Sequence, residues 1–350
     1  MLSDPDGAPE PPRVTIVIPN WNGAHLLSTC LESLRRQVFS DFEILVVDNG
    51  SCDDSVRLLR TEFSEATVLA LPKNIGFAAA CNAGIRAARG GYVVLLNNDT
   101  EATEHWLSQL VSVLDSRPDV AFAASKILDF RARDIIDSVA DGISLLGVPF
   151  KIGQHERDEG QFDKTFEVFG ACAAASIYRR SLFDDIGLLD EDFFAYVEDV
   201  ELSVRAQLAG HRGLFVPAVV YHMGTASTGG GPSPLTVRLT TRNVWWTVLK
   251  TLPVPILLVT IPCMIGAQVG LLAHTLLLGR RPWLRRNLNE YFRGLREALA
   301  GLPRMLAKRR MLKRRVDTLS FLRQLRSASR QRAQSKSRRR STALLSGVGS

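Results

Sequence analysis

Across residues 14–124 the chain alternates short apolar runs with helical patterns, and no other feature restricts its fold as much. The apolar runs fall at residues 14–18, 42–47, 67–71, 92–96 and 120–124. Helical spacing fills the gaps at about 26–37, 55–63, 78–88 and 104–116. Runs this short and this apolar suit strands covered on both faces, and the βαβα rhythm argues for a doubly wound, mostly parallel sheet. Ligands in such sheets bind beyond the carboxyl ends of the strands. The polar residues that follow each apolar run are therefore the ones to read for function. From about 129 to 165 the pattern weakens into a charged, Gly-containing stretch, expected to hold loops and short strands near a binding face. An apolar, small-residue segment follows at 166–178, a short helix at about 180–186, and a flexible loop at 224–234.

Three strand ends carry chemistry. Asp48-Asn49-Gly50-Ser51 follows the second run; Asp48 can accept from a nucleobase imide or a ribose hydroxyl, or the group is an Asx turn leading into an N-cap. Lys73-Asn74-Ile75-Gly76-Phe77-Ala78 opens a helix carrying Asn82 and Gly84. Its small residues permit close backbone approach and its N-terminus favours an anion such as a diphosphate, although helix–sheet packing explains the same composition. Asn97-Asn98-Asp99-Thr100 follows Tyr92–Leu96. A carboxylate there can hold a divalent cation that bridges phosphates, or cap a helix. His222, after another apolar run, is either a second ligand or a structural histidine.

Glu198-Asp199 lies where the aromatic stretch Phe193-Phe194-Ala195-Tyr196 turns into a helix. Val200, Val204 and Leu208 recur at helical spacing, Glu201 and Arg205 pair at i,i+4, and Gly210 is a stop signal. Acids in a first helical turn either cap the helix or accept a proton from a bound hydroxyl.

Charge is divided between two regions. Residues 280–340 hold 21 of the 43 Lys and Arg but three of the 36 acids, so the net +7 conceals an acidic body and a basic end. The five cysteines are scattered without a CxxC pair, which fits a reducing compartment and argues against a disulfide framework or zinc site. The acidic, Pro-rich first 12 residues do not read as a signal peptide. Residues 252–278 contain no Asp, Glu, Lys or Arg and are long enough to span a bilayer. Prolines 253, 255 and 262 and basic flanks on both sides favour a broken helix dipping into the cytoplasmic leaflet, with a buried core helix as the alternative. Basic helices downstream would lie on anionic lipid, and residues 327–350 are expected to be disordered. No GxxxxGK[ST] loop is present and the first strand does not lead into GxGxxG, which disfavours P-loop and standard dinucleotide folds.

The order and spacing of these motifs, from Val14-Thr15-Ile16-Val17-Ile18-Pro19-Asn20-Trp21-Asn22 to His222, resemble family 2 glycosyltransferases of the GT-A fold over about residues 13–225. A looser resemblance points to the rhamnosyltransferase-like enzymes of bacterial surface-polysaccharide assembly. The resemblance implies inverting transfer from a nucleotide-sugar, dTDP- or UDP-linked. Asp48 would contact the base. Pro19, Asn20, Trp21, Asn49, Asn74, Gly76, Asn82 and Asn98 would line the donor site, and Asp99 would hold Mg²⁺ or Mn²⁺ with help from His222. Asp199 would deprotonate the acceptor and Glu198 would position it. The family's metal motif is commonly Asp-x-Asp; Asn97 stands in the place of the first acid. The expected organisation is a disordered 1–12, a catalytic domain over 13–245, a hydrophobic and basic helical membrane-associating region over 246–326, and the basic tail. The expected setting is the cytoplasmic face of the plasma membrane, with a lipid-linked glycan as acceptor and no nucleic-acid partner. A catalytically idle GT-A module serving as a membrane-bound assembly partner, and a nucleotidyltransferase making activated sugars, are the rival readings.

Overall fold

The computed structural model describes residues 10–224, 233–277 and 282–345. The loop expected at 224–234 and the extreme ends of the chain fall mainly outside them. A ten-stranded sheet forms the centre. The alternating segments become β1 (Val14–Asn20), α1 (Ala24–Arg35), β2 (Phe42–Asp48), α2 (Ser55–Glu62), β3 (Ala66–Ala70), α3 (Phe77–Ala87) and β4 (Tyr92–Leu96). Their strands lie in the order β3-β2-β1-β4, all parallel. Successive side chains go to opposite faces: Val17, Val47, Val93 and Leu95 join one core cluster, and Ile16, Ile18, Val46, Val94 and Leu96 the other. Both faces are covered, which is why these strands read as continuous apolar runs. At Gly84 of α3, a Cβ would come within 2.2 Å of Val17 Cγ1, so this helix approaches the sheet too closely for any larger residue.

The sheet continues through β5 (Thr100–Ala102), α4 (Trp106–Ser116), β6 (Val120–Asp129), β7 (Ile136–Ser138), β8 (Ala140–Ile143), β9 (Pro149–Ile152), β10 (Phe166–Val168), β11 (Ala175–Arg179), α5 (Arg180–Ile186), α6 (Glu198–Leu208) and β12 (Arg212–His222). β11 inserts between β4 and β6, antiparallel to both, while β12 runs parallel to β6. The sheet is thus mixed, and β8–β9 form a separate hairpin. Strand order reverses at β1: β2 lies on one side and β4 on the other. The carboxyl ends of β1 and β4 therefore flank the crevice where a ligand is expected.

The C-terminal third departs from expectation in three places. α7 (Pro234–Thr251) starts at Ser233, whose hydroxyl accepts from Thr236 N at 3.1 Å with Pro234 next in line, a strong start signal. The expected domain boundary at 245/246 falls inside this helix. α8 (Val254–Leu277) is one continuous helix rather than a broken one. Pro253 and Pro255 fall before it and in its first turn, where no N–H is needed, and Pro262 is accommodated inside it. After α9 (Pro282–Arg286), α10 (Leu288–Ala300) and α11 (Leu302–Arg310), α12 runs from Thr318 to Leu345, where disorder was expected from 327. Its Phe321, Leu325 and Ala328 are buried in the main core at helical spacing. Gln331 donates to the Glu167 carbonyl at 3.0 Å and Ser335 bonds buried Glu156, so the basic helix is stapled to the catalytic body.

Candidate active site

At the parallel strand ends, a ladder of side-chain amides ties the elements together. Asn20 donates to Asp48 Oδ1 at 3.1 Å and accepts from Asn98 Nδ2 at 2.7 Å, bridging β2, β1 and the end of β4. Asp48 is buried and also accepts from Ser51 N at 3.1 Å. Asn49 donates to Asn74 Oδ1 at 3.1 Å and to the Gly76 carbonyl at 3.2 Å, and accepts from Ile75 N at 2.9 Å. Trp21 stands half exposed just beyond β1, after partly exposed Pro19. Asn82, expected on the donor side, has both ends of its amide engaged elsewhere. It exchanges bonds with Leu189 O (2.8 Å) and Leu189 N (3.0 Å) and donates to Glu191 at 2.9 Å, so it orders the turn before α6.

Asp99 and His222 meet, although 123 positions separate them in sequence. Antiparallel pairing of His222 with Thr100 brings the end of β12 over the end of β4. Asp99 Oδ1 is buried, makes no hydrogen bond, and lies 3.2 Å from His222 Nε2. Behind the ring, Nδ1 lies 3.0 Å from Asp137 on β7, and Asp137 is bonded in turn by Lys151 of β9 at 2.9 Å. Burial would lower the His222 pKa, but Asp137 and Asp99 lift it to about 9. Burial opposes ionisation of Asp137 too, yet His222 and Lys151 hold it well below the carboxylate range. An unbonded buried carboxylate oxygen beside an imidazole oriented from behind by a carboxylate fits a divalent cation, which would displace the proton the ring otherwise carries toward Asp99. Asn97 also faces this point, with Nδ2 3.5 Å from His222 Nε2 and a buried Oδ1 that has no partner. A neutral amide oxygen is a weaker ligand than the acid it replaces.

The second group of acids lies at α6. Glu198 and Asp199 occupy its first turn, preceded by Phe194, Tyr196 and Val197, all with φ between 64° and 71°. Such backbone costs on the order of 1–3 kcal/mol per residue and persists only where the surroundings impose it. Glu198 is buried and its Oε2 has no partner; burial and the Asp199 charge push its pKa up to about 8. Asp199 is partly accessible. Burial raises its pKa, while N–H donors from Ala173 (3.2 Å) and Val200 (2.8 Å) favour the carboxylate. Burial thus pushes both carboxyls toward the protonated form, but Asp199 alone is reachable and has its oxygens oriented by backbone donors.

Asp141, Cys172 and Asp199 each place a ligand atom within 4.8 Å of one another. Burial and the Asp199 charge raise Asp141 to about 7, and the Lys151 ammonium supplies a positive charge that acts on both Asp141 and Cys172. Lys151 therefore stands electrostatically between the Asp99–His222 pair and the Asp199 end. Asp137, Asp141 and Lys151 were not singled out from the sequence. The signal available was Lys151 between Phe150 and Ile152, a charge inside an apolar run.

Residues 15–187 match the family described as Glycosyl transferase family 2. A Sinorhizobium fredii protein described as uncharacterised, y4gI, is 30% identical over 236 residues, 64% of this chain and 26% of that protein. The O-antigen biosynthesis protein RfbC of Myxococcus xanthus is 29% identical over 209 residues, 57% of this chain and 16% of RfbC. The matched regions are thus small parts of these two relatives. Among solved structures, the mannosyltransferase PcManGT from Pyrobaculum calidifontis, in complex with GDP-Man and Mn²⁺, superposes with a TM-score of 0.51 at 17% identity, covering 84% of this chain and 88% of that one. S. aureus TarS 1-349 in complex with UDP-GlcNAc gives 0.52 at 16% identity, covering 93% and 92%. These likenesses show a shared GT-A-like α/β fold.

Proposed function

We propose that this chain, whose residues 15–187 match the family described as Glycosyl transferase family 2, moves a sugar from a nucleotide-diphosphate donor to a hydroxyl of a lipid-linked or polysaccharide acceptor, with inversion. The observation that carries this reading is the accessible Asp199 in the first turn of α6, its oxygens oriented by backbone donors, with a separate Asp99–His222 pair at the strand ends. Asp199 takes the acceptor proton, and the Ala173 and Val200 N–H groups hold its oxygens in place. Glu198 stays uncharged beside it, so no second anion competes for that proton. Asp99 and His222 would hold Mg²⁺ or Mn²⁺, and such a cation supplies neutralising charge to a leaving nucleoside diphosphate. Asp48 and the amide ladder present the donor side. Structural neighbours crystallised with UDP-GlcNAc, GDP-Man and Mn²⁺ support a nucleotide-sugar donor and a divalent metal. A deoxyhexose such as rhamnose on dTDP is the donor we favour, and the O-antigen protein among the relatives supports a cell-surface glycan as product.

A membrane-bound acceptor fits α8. This 24-residue helix carries no charge, is long and apolar enough to cross a bilayer, and exposes Leu258 (73%) and Leu277 (81%). Its apolar surface and the basic residues around it support our reading that the protein works at the cytoplasmic face of the plasma membrane.

The test is donor turnover. Purified protein is incubated with nucleotide-sugars, with Mg²⁺, Mn²⁺ or EDTA, and with a polyprenyl-linked acceptor extract. Release of one nucleoside diphosphate is expected, lost with EDTA and reduced by about 10²–10⁴ in Asp199→Asn with donor binding retained. Unchanged turnover in Asp199→Asn would move the base elsewhere. Absence of both binding and turnover for every donor would favour an idle assembly module.

A further inference from the structure

The segment leading into Glu198-Asp199 is held from α7, and one buried side chain reaches most of its carbonyls. Asn243 is fully buried. Its Nδ2, with two N–H bonds, lies within hydrogen-bond distance of three carbonyls of that segment, one bond being shared: Phe193 at 3.0 Å, Ala195 at 2.9 Å and Tyr196 at 2.8 Å. The left-handed backbone at Phe194, Tyr196 and Val197 turns these carbonyls toward one point. Carbonyls gathered in that way repel one another unless a donor sits among them. The amide cannot be flipped, because Oδ1 accepts from Arg242 Nε at 2.9 Å. Arg242 adds bonds to Asp192 O (3.2 Å) and Phe193 O (2.8 Å), and Thr236 Oγ1 donates to Tyr196 Oη at 3.0 Å. From the other side, α3 presses on the same segment: Ala78 N donates to Phe194 O at 3.1 Å, and a Cβ on Gly76 would strike Phe194. Below it, Lys250 of α7 bonds Asp190 at 2.6 Å and Glu201 at 2.8 Å, and Lys308 of α11 also pairs with Asp190.

We propose that Asn243 is a positioning residue for the transfer reaction: it supplies the donors that keep residues 193–197 in their left-handed path and thereby aims Asp199 at the acceptor hydroxyl. The proposal rests on Asp199 being the base. It also means that α7, the helix continuing into exposed α8, sets the geometry of the proton-accepting carboxylate. Aspartate has the same shape but replaces the donor group with an anionic oxygen among three carbonyls. Alanine removes the donor. Neither change touches the amide ladder on the donor side.

The experiment compares full-length wild type, Asn243→Asp and Asn243→Ala by backbone hydrogen exchange and by steady-state kinetics with the donor and acceptor active in the turnover panel. Exchange in peptides covering 193–201 should rise at least tenfold in both variants, with residues 14–70 unchanged. Transfer kcat should fall at least tenfold while donor KM stays within about threefold, a split that general loss of structure would not give. Unchanged protection of 193–201, or lost protection with wild-type kcat, overturns the proposal. If Asn243→Asp does not fold, Asn243→Ser, which keeps one donor, is read by the same criteria and should fall between wild type and alanine. If wild-type protein transfers no sugar, the reading of Asp199 fails separately, and the exchange result alone upholds or overturns the hold of Asn243 on the segment.

Discussion

Glu198 shows how burial alters a side chain whose identity was plain in the sequence. Its pKa of about 8, caused by burial and by the Asp199 charge beside it, lies above the ordinary 4.5. The folded state therefore binds a proton that the unfolded chain gives up. The stability this confers is complete below about pH 4.5 and is lost as pH rises through about 8. The charge that acts on it is Asp199 beside it on α6; across on α3 the Cys81 thiol, pushed up by burial, is uncharged. Glu198→Gln keeps the shape without the titration. Thermal melts should show variant and wild type diverging from pH 5 to pH 8 and then running parallel, by up to several kcal/mol at about 1.4 kcal/mol per pH unit. A gap that does not change with pH would place the proton elsewhere. At this scale the sequence was readable wherever an acid or amide directly follows an apolar run, as at Asp48, Asn98 and Asp99. It was unreadable for Asp137 and Asp141, which nothing local marks, and offered for Lys151 only a charge inside an apolar run. They reach the site only through pairing of β7 with β6 and of β8 with β9.

Elements differ in how openly their residues declare them. The parallel strands were legible because burial on both faces leaves no polar positions to blur the run. α12 was not, because its Arg, Lys and Ser content outweighs the sparse apolar stripe at Phe321, Leu325 and Ala328, which needs a partner surface to count. α8 poses the opposite problem. Its charge-free run was plain, but its prolines suggested a break that the helix does not make. One side of it packs on the body, where Thr260 donates to Leu145 O at 2.7 Å and Met264 is buried; Leu258, Val259 and Val269 stay exposed. Replacing these three by Glu should leave the melting temperature nearly unchanged and abolish flotation with anionic vesicles, each buried charge costing on the order of 2–3 kcal/mol in lipid. Undiminished flotation would remove α8 as the membrane contact.

For the molecule as a whole, the basic end is part of the structural body and not a trailing appendage. Phe321 is fully buried against Phe169, with ring centroids 6.2 Å apart, and Asp185 binds Lys313 at 2.8 Å and Arg315 at 2.6 Å. Phe321→Ala should cost about 3–5 kcal/mol in denaturant unfolding. A loss below 1 kcal/mol would mean that the C-terminal helix is only loosely associated. The same whole-chain interdependence follows from β11, which sits between β4 and β6 although it comes after both in the chain. Until residue 179 has been synthesised, the β4 edge has no neighbour on one side and β6 has no strand joining it to the β1–β4 half. The nascent chain must therefore carry an unpaired strand edge through the making of some eighty further residues. Completion of the sheet is a late, long-range closure, the kind of step that slows folding and exposes a growing chain to aggregation.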